Sequence, residues 1–264
     1  MNAQHRDRPV RLGRPKVSPH VLGPRRLIAG KLLASLPAPA PARDWLAAAF
    51  AAARAAGAAD LGVMHNDTLG DCTIAALGHA AQTLTANNGA MVTPTDAAIL
   101  QGYETVDGYR PDDPSSDQGG VETAVLTAAE SGIAGVIKID AWIPVNPQNH
   151  DHMRKAVERF GGLYRGLSLP ETIQQQPTRW TVDIGAKASA EAGSLGGHAV
   201  WTGAYNDAGL GTVTWGYQVD ESWDFNDAYC DEAYAFLCSL WLPGGLSPLG
   251  DSAAALQADL AAVA

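Results

Sequence analysis

Cysteine is scarce in this chain of 264 residues, which has three, at positions 72, 230 and 238. So low and odd a number argues against a secreted scaffold held together by disulfides, and it favours a cytoplasmic setting. No apolar run approaches the ~20 residues that a membrane-spanning helix needs, so no membrane span is expected. Residues 25–42 contain a twin arginine, a short apolar run and an Ala-Pro tail, which leaves a weak N-terminal export signal as an alternative.

Several signatures of other chemistries are missing as well. There is no glycine-rich phosphate loop ending in lysine and no Gly-x-Ser-x-Gly elbow. Cys230 and Cys238 do not form a Cys-x-x-Cys pair, and the spacing of His65, Cys72 and His79 matches no compact zinc pattern. The sequence therefore predicts neither a metal nor a cofactor, although the ligand types alone leave a thiolate–imidazole zinc site open.

The charge is unevenly distributed around a net value of -10. Residues 1–31 hold eight Lys and Arg against one acid, Asp7, which leaves 10 basic and 27 acidic residues for the rest of the chain. Such an acidic body repels phosphate, so nucleic acid is not an expected partner except through the basic segment. That segment either lies across the chain's own acidic body or contacts nucleic acid or an anionic membrane, and composition favours the first. We divide the chain into a basic Pro/Gly-rich arm, 1–36, and one domain, 37–264.

Helical patterns fill the first half of this domain, and strand patterns fill the second half. The predicted helices cover 44–58, 72–84, 95–105, 121–131 and 150–160, and the predicted strands cover 136–143, 162–169, 198–204, 211–217 and 234–240. Residues 1–26 are predicted to be extended. This segregation predicts an α+β fold, with a helical half packed against an antiparallel half and a cleft between them.

Cys72 lies at a position that favours reactivity. It follows a Gly-Asp pair and opens a helical pattern, and a helix N-terminus stabilises the thiolate that acts as a nucleophile. The alternative is an inert core cysteine, the commoner fate of a free cysteine. The polar, glycine-containing loop at 62–71 argues against that alternative.

A nucleophilic thiolate needs an imidazole partner. Among the seven histidines, His198 stands apart because Gly196 and Gly197 precede it and a strand pattern follows. This arrangement would present the imidazole at a sheet edge, facing the cleft. The alternative is a histidine whose hydrogen bonds are satisfied inside the core.

Further motifs follow in a recognisable order. They are Pro41–Trp45, Asn66–Cys72, Asp117–Gly120, Gly197–Val200 and Thr214–Gly216. In this order they resemble the papain-like cysteine peptidases. The likeness is closest to bacterial and phage-encoded proteins of this fold, of undefined function, which share a late Ala-Tyr-Cys-Asp-Glu-Ala-Tyr stretch, present here at 228–234.

The resemblance implies a two-lobed fold in which the helical half carries Cys72 and the antiparallel half carries His198. It implies that Cys72 is the nucleophile and His198 the general base. Asn66 stands where the family has glutamine and, with the Cys72 backbone N–H, would stabilise the oxyanion. Thr214 falls near the family's orienting asparagine, and Asp220 is the alternative orienter of His198.

The substrate groove is implied by three more residues. Gly119 and Gly120 resemble the glycine pair that lines it, and Trp215 would lie against the substrate and shield the histidine. The implied function is a thiol-dependent hydrolase that cleaves a peptide or isopeptide bond in a peptide or protein substrate. The alternatives are a non-catalytic binding module and a cysteine-dependent transpeptidase or ligase. Because only about forty residues precede the family-like start, autoinhibition by a long propeptide is not expected.

Overall fold

The computed structural model describes residues 12–16, 23–242, 246–252, 254–255 and 258, with the backbone alone for 23–28. Residues 1–11 and 17–22 of the basic arm therefore lie outside the described residues. None of the described helices has the length and apolar character that a bilayer-spanning segment requires.

Helices dominate the first half of the described chain. The α-helices are α1 (Gly23–Ser35), α2 (Leu46–Ala55), α3 (Cys72–Ala86), α4 (Asp96–Asp107), α5 (Glu122–Ser131), α6 (His150–Phe160) and α7 (Trp223–Tyr229). Short 3-10 segments lie at Pro114–Ser116, Glu171–Gln175 and Ile184–Ala190, the last one broken at Lys187.

The strands form one sheet, mostly in the second half. They are β1 (Arg43–Asp44), β2 (Ala141–Pro144), β3 (Leu163–Leu169), β4 (Arg179–Trp180), β5 (Gly196–Asn206), β6 (Gly209–Thr214), β7 (Tyr217–Ser222) and β8 (Cys230–Leu237). Their order is β2-β8-β3-β5-β6-β7-β4, with β1 added to the end of β5. Every pairing is antiparallel except that of β4 with β7, so the predicted α+β class is confirmed.

Helix α3 lies at the centre of the molecule. It has no proline, is rich in alanine, and is buried along its whole length except at Ala86. Its buried polar side chains find partners, as Thr83 does by donating to the His79 carbonyl at 2.8 Å. Gly78 permits this packing, since a Cβ there would lie 2.5 Å from the Met64 sulfur. The main core lies between α3, the other helices and one face of the sheet, while a smaller core lies within the β half.

Some expectations from the sequence were wrong in detail. The alternation across 136–143 does not make one strand, because Ile137 bridges back to Ile133 and regular pairing with β8 starts only at Ala141. The extended conformation expected through residue 26 is wrong from Gly23 onward, where α1 begins. Ala29 and Leu33 of this helix are buried in the main core. The division at residue 36 stays a prediction.

A buried ion pair with its hydrogen bonds connects four strands of the sheet. Arg165 on β3 is fully buried, and its Nη2 donates to both carboxylate oxygens of Glu221 on β7, at 2.7 and 2.9 Å. The same guanidinium donates to Thr202, Thr212 and Asn226. These bonds join β3, β5, β6, β7 and α7 around one charge.

Replacing Glu221 with leucine should lower the free energy of unfolding by about 3–5 kcal/mol, because Arg165 would remain charged and buried without its carboxylate. Urea denaturation measures the change. Asp220→Ala, the exposed neighbour on the same strand, serves as the control and should change stability by less than ~0.5 kcal/mol. Equal effects of the two substitutions would contradict this account of the network.

Candidate active site

Cys72 is the first residue of α3 and lies against the start of β5. The backbone N–H of Ala199 donates to its sulfur at 3.4 Å. Because Ala199 directly follows His198 in β5, the thiol lies next to the histidine. Cys72 is 1% exposed and His198 is fully buried. The fold thus brings together the two residues that the sequence singled out, from opposite halves of the molecule.

His198 is held from two sides. Its Nε2 lies 2.7 Å from the Thr214 hydroxyl oxygen, and the Trp215 ring stacks on the imidazole with centroids 4.6 Å apart. Trp215 and Gly216 both have positive φ, 48° and 86°, and form the tight turn between β6 and β7 that folds the indole over the histidine. Asp220, the alternative orienter, is instead exposed on β7 and accepts a hydrogen bond from Gln218.

The two candidate catalytic groups are both neutral in this arrangement. Burial raises the pKa of the Cys72 thiol to about 12, against the opposing effect of the N–H groups of Ala199 and Gly13. Burial, together with the positive charge of Arg14, lowers the pKa of His198 to about 3. The expectation that the helix N-terminus favours a thiolate is therefore wrong for this state, because loss of solvent outweighs the helix dipole.

The loop before Cys72 contains two buried polar residues. Asn66, the candidate oxyanion donor, is 2% exposed, and its side-chain amide donates to the carbonyl of Leu69 at 3.2 Å. Asp71 is fully buried next to the nucleophile, and burial raises its pKa well above the usual value, with the Asn66 side chain opposing the shift.

Asp117 and Tyr103 connect the cysteine loop to the glycine pair within the helical half. Sequence reasoning included Asp117 only as part of the Asp117–Gly120 motif, without a role of its own, and missed Tyr103. One Asp117 oxygen accepts from the Gly70 N–H at 2.8 Å and from the Tyr103 hydroxyl at 2.7 Å. The Tyr103 hydroxyl in turn accepts from the Gly119 N–H at 2.9 Å. This network sets the distance between the cysteine loop and the glycine pair, although no local pattern distinguishes an aspartate in a polar loop.

The cleft itself is occupied by the chain's own residues 12–16. The Gly120 N–H donates to the Gly13 carbonyl at 2.7 Å, and the Arg14 N–H donates to the Gly197 carbonyl at 3.2 Å. The fit needs glycine, because a Cβ on Gly119 would lie 1.5 Å from the Gly13 oxygen. Residues 12–16, called the arm segment below, are therefore held by backbone hydrogen bonds to Gly120 on one wall of the cleft and Gly197 on the other, directly over Cys72. The sequence did not predict that residues 12–16 would lie in the cleft; it excluded only autoinhibition by a long propeptide.

The residues considered as a zinc site do not assemble into one. His79 is buried within α3, and its Nδ1 is 3.0 Å from the Gln82 side-chain oxygen, while burial lowers its pKa to about 4. The described residues contain no group of three or more His, Cys, Asp or Glu side chains placed to hold a metal ion.

No family model matches the sequence, and no curated protein matches it. Solved structures do match. Xylellain, a cysteine protease from Xylella fastidiosa, aligns with a TM-score of 0.54 at 14% identity, over 79% of this chain and 88% of that chain. The chain has a papain-like fold.

Two further structures support this conclusion. Recombinant stem bromelain precursor aligns with a TM-score of 0.51 at 14% identity, over 79% of this chain and 72% of that chain. The ragweed pollen cysteine protease Amb a 11 in its proform aligns with a TM-score of 0.50 at 15% identity, over 78% of this chain and 61% of that chain. The resemblance inferred from the motifs is thus confirmed at the level of the papain-like fold.

Alkylation of Cys72 by iodoacetamide at pH 7 should be at least ~10-fold slower in the native protein than in the urea-unfolded chain, because the native thiol is 1% exposed and its pKa is raised to about 12. Peptide mass spectrometry separates this signal from Cys230 and Cys238. Cys72→Ser should remove it. Alkylation of native Cys72 as fast as that of the unfolded chain would contradict the described burial and protonation state of the thiol.

Proposed function

We propose that this papain-like protein is a thiol-dependent hydrolase that cleaves a peptide or isopeptide bond through a Cys72–His198 acyl-enzyme mechanism. The observation that carries the proposal is the chain's own segment 12–16, held across the Cys72 sulfur by backbone hydrogen bonds. The walls bind the Gly13–Arg14 backbone through Gly120 and Gly197, using bonds that any peptide backbone can make. A site that holds a peptide main chain over a cysteine is suited to attack on a carbonyl.

The reaction begins with the thiol proton passing to Nδ1 of His198. The sulfur then attacks the carbonyl carbon, and the carbonyl π electrons move onto its oxygen. When the tetrahedral intermediate collapses, the C–N bond breaks and the amine leaves with the proton from the imidazole. Water, deprotonated by His198, then cleaves the thioester, which releases the acid and restores the thiol.

Three other residues have proposed supporting roles. Thr214 accepts a hydrogen bond from Nε2–H, which directs Nδ1 towards the sulfur and supports the imidazolium as it forms. Asn66 and the Cys72 N–H stabilise the oxyanion, with Asn66 turning from the Leu69 carbonyl. Trp215 covers the imidazole and keeps water from the Thr214 bond.

The described state is latent under this proposal. Residues 12–16 fill the groove between Gly119, Gly120 and Gly197, and they bury the cysteine and the histidine. Their withdrawal would restore solvent to both groups and remove the Arg14 charge near His198. Both effects bring the two pKa values closer, and proton transfer becomes feasible.

Two observations favour a second candidate, a non-catalytic binding module. The cysteine and the histidine are both neutral, and the Asn66 amide is already bonded within its own loop. In this case the groove would bind peptides without cleaving them. Ligation to an amine uses the same acyl-enzyme as hydrolysis and differs only in the second nucleophile.

Treatment of the Arg14→Ala variant with a peptide vinyl sulfone should give a covalent adduct on Cys72, because opening the groove exposes the thiol to the probe. Adding His198→Ala should slow the adduct by at least ~100-fold, since no base removes the thiol proton. Intact-mass spectrometry measures the rate. An adduct that forms equally fast without His198, or none in the opened protein, would rule out the hydrolase and favour the binding module.

Thr214→Val should lower kcat for a cleaved peptide by roughly 10-fold or more with little change in KM, because it loses the oxygen that orients His198 but keeps the side-chain shape. Thr214→Ser should restore most of the rate. The pH dependence of kcat/KM should also shift in the valine variant, which a purely structural role would not produce. A change in KM alone would contradict the orienting role.

A further inference from the structure

A cluster of carboxylates lies directly beside the catalytic pair, and none of the proposed catalytic steps uses it. Glu122 begins α5, whereas Asp231 and Glu232 lie near the start of β8. We call these three residues the carboxylate pocket. Arg14, the residue after the one that lies over Cys72, extends its side chain into this pocket.

The contacts between Arg14 and the pocket are those of a specific guanidinium site. Its Nη1 donates to Glu232 Oε1 at 2.7 Å, and its Nη2 is paired with Asp231. Glu122 Oε2 lies 3.6 Å from Nη1 on another side. The Arg14 side chain is fully buried, as is that of Glu122, and Glu232 is nearly so. Burial of a guanidinium is tolerated only with such partners.

The pocket is built to hold its carboxylates in place. The Tyr234 hydroxyl donates to Glu232 Oε2 at 2.6 Å, and the Ser168 hydroxyl donates to Asp231 Oδ2 at 2.7 Å. Gly166 forms the floor, where a Cβ would lie 2.3 Å from Glu122 Oε2 and 2.6 Å from the Arg14 guanidinium carbon. The volume that the guanidinium fills thus depends on a missing side chain.

The charge of the pocket requires a cation. Three carboxylates surround the buried Arg14 guanidinium, and the exposed Lys16 ammonium lies 3.0 Å from Asp231 Oδ2 at the rim. With both cations withdrawn, the three carboxylates would be left close together and largely out of water. Burial already raises the pKa of Glu122 well above its usual value, and the Arg14 charge opposes that rise. A planar guanidinium, which binds several carboxylates at once, suits the geometry better than an ammonium group.

We infer that the carboxylate pocket is a recognition subsite for an arginine side chain of the bound peptide, and that Arg14 occupies it as a built-in competitor. A ligand peptide would place its arginine next to the residue whose backbone lies over Cys72, as Arg14 follows Gly13. That the ligand is also a substrate rests on the proposed function, whereas binding does not.

Binding can be tested without chemistry in the Cys72→Ser/Arg14→Ala double variant. The probes are two fluorescent peptides that differ at one position, arginine in one and citrulline in the other, so that shape is kept and charge is lost. The arginine peptide should bind on the order of 10- to 100-fold more tightly by fluorescence anisotropy. The single variant Cys72→Ser should bind it more weakly, because Arg14 still fills the pocket.

Substitutions in the pocket and a matched control complete the binding test. Glu232→Gln in the double variant should remove the preference for arginine, and Asp231→Asn, which alters a partly exposed carboxylate, should reduce it if the first variant fails to fold. Arg110→Ala in the Cys72→Ser background, which removes an exposed cation paired with Asp113, should not increase binding as Arg14→Ala does. Equal binding of the arginine and citrulline peptides to the double variant would overturn the inference.

Cleavage distinguishes this inference from the proposed function. The Arg14→Ala protein, with Cys72 intact, should cleave the arginine peptide faster than the citrulline peptide. Selective binding without any cleavage would keep the pocket and reject the hydrolase. Cleavage of both peptides at one rate, with equal binding, would keep the hydrolase and reject the pocket.

Discussion

The structure around the cleft depends on the requirement that a buried guanidinium must have carboxylate partners. Arg14 meets this requirement with residues from α5 and β8, more than a hundred positions away. Its charge also opposes protonation of His198, which helps to lower that pKa. The ion cluster that anchors the arm segment therefore also helps to keep His198 neutral.

The positions of Cys72 and His198 could be predicted from sequence because both depend on local patterns. The apolar periodicity of a helix begins at Cys72, and a glycine pair precedes the strand pattern at His198. Each of these patterns is visible within about a dozen residues. The α+β class followed from the order of such patterns along the chain. Thr214 was a weaker prediction, because its place beside His198 depends on the turn at Trp215 and Gly216. In that turn a tryptophan has a positive φ, which a local pattern does not reveal.

What the sequence could not show depends on long-range contacts. Arg14 and Glu232 are 218 positions apart, and nothing in either neighbourhood marks them as partners, although the 228–234 stretch was noticed as a family-like motif. The thiol pKa was predicted in the wrong direction because the helix dipole is a local effect, whereas burial is set by the arm segment and the opposite lobe. Tyr103 and the bonding role of Asp117 were missed for the same reason, since that role exists only once two loops meet.

The arm segment belongs to the same chain as the groove that it fills. This covalent connection changes how a free ligand competes with it for the groove. Helix α1 begins at Gly23, a few residues after Lys16, and Ala29 and Leu33 fix that helix in the main core. Over such a short connection the effective concentration of a tethered ligand is typically in the millimolar range or above. A free peptide must exceed this local concentration, weighted by relative affinity, before it fills the groove. Cutting the chain between the arm segment and α1 would make its binding intermolecular, so the released segment would leave the groove when the protein is diluted.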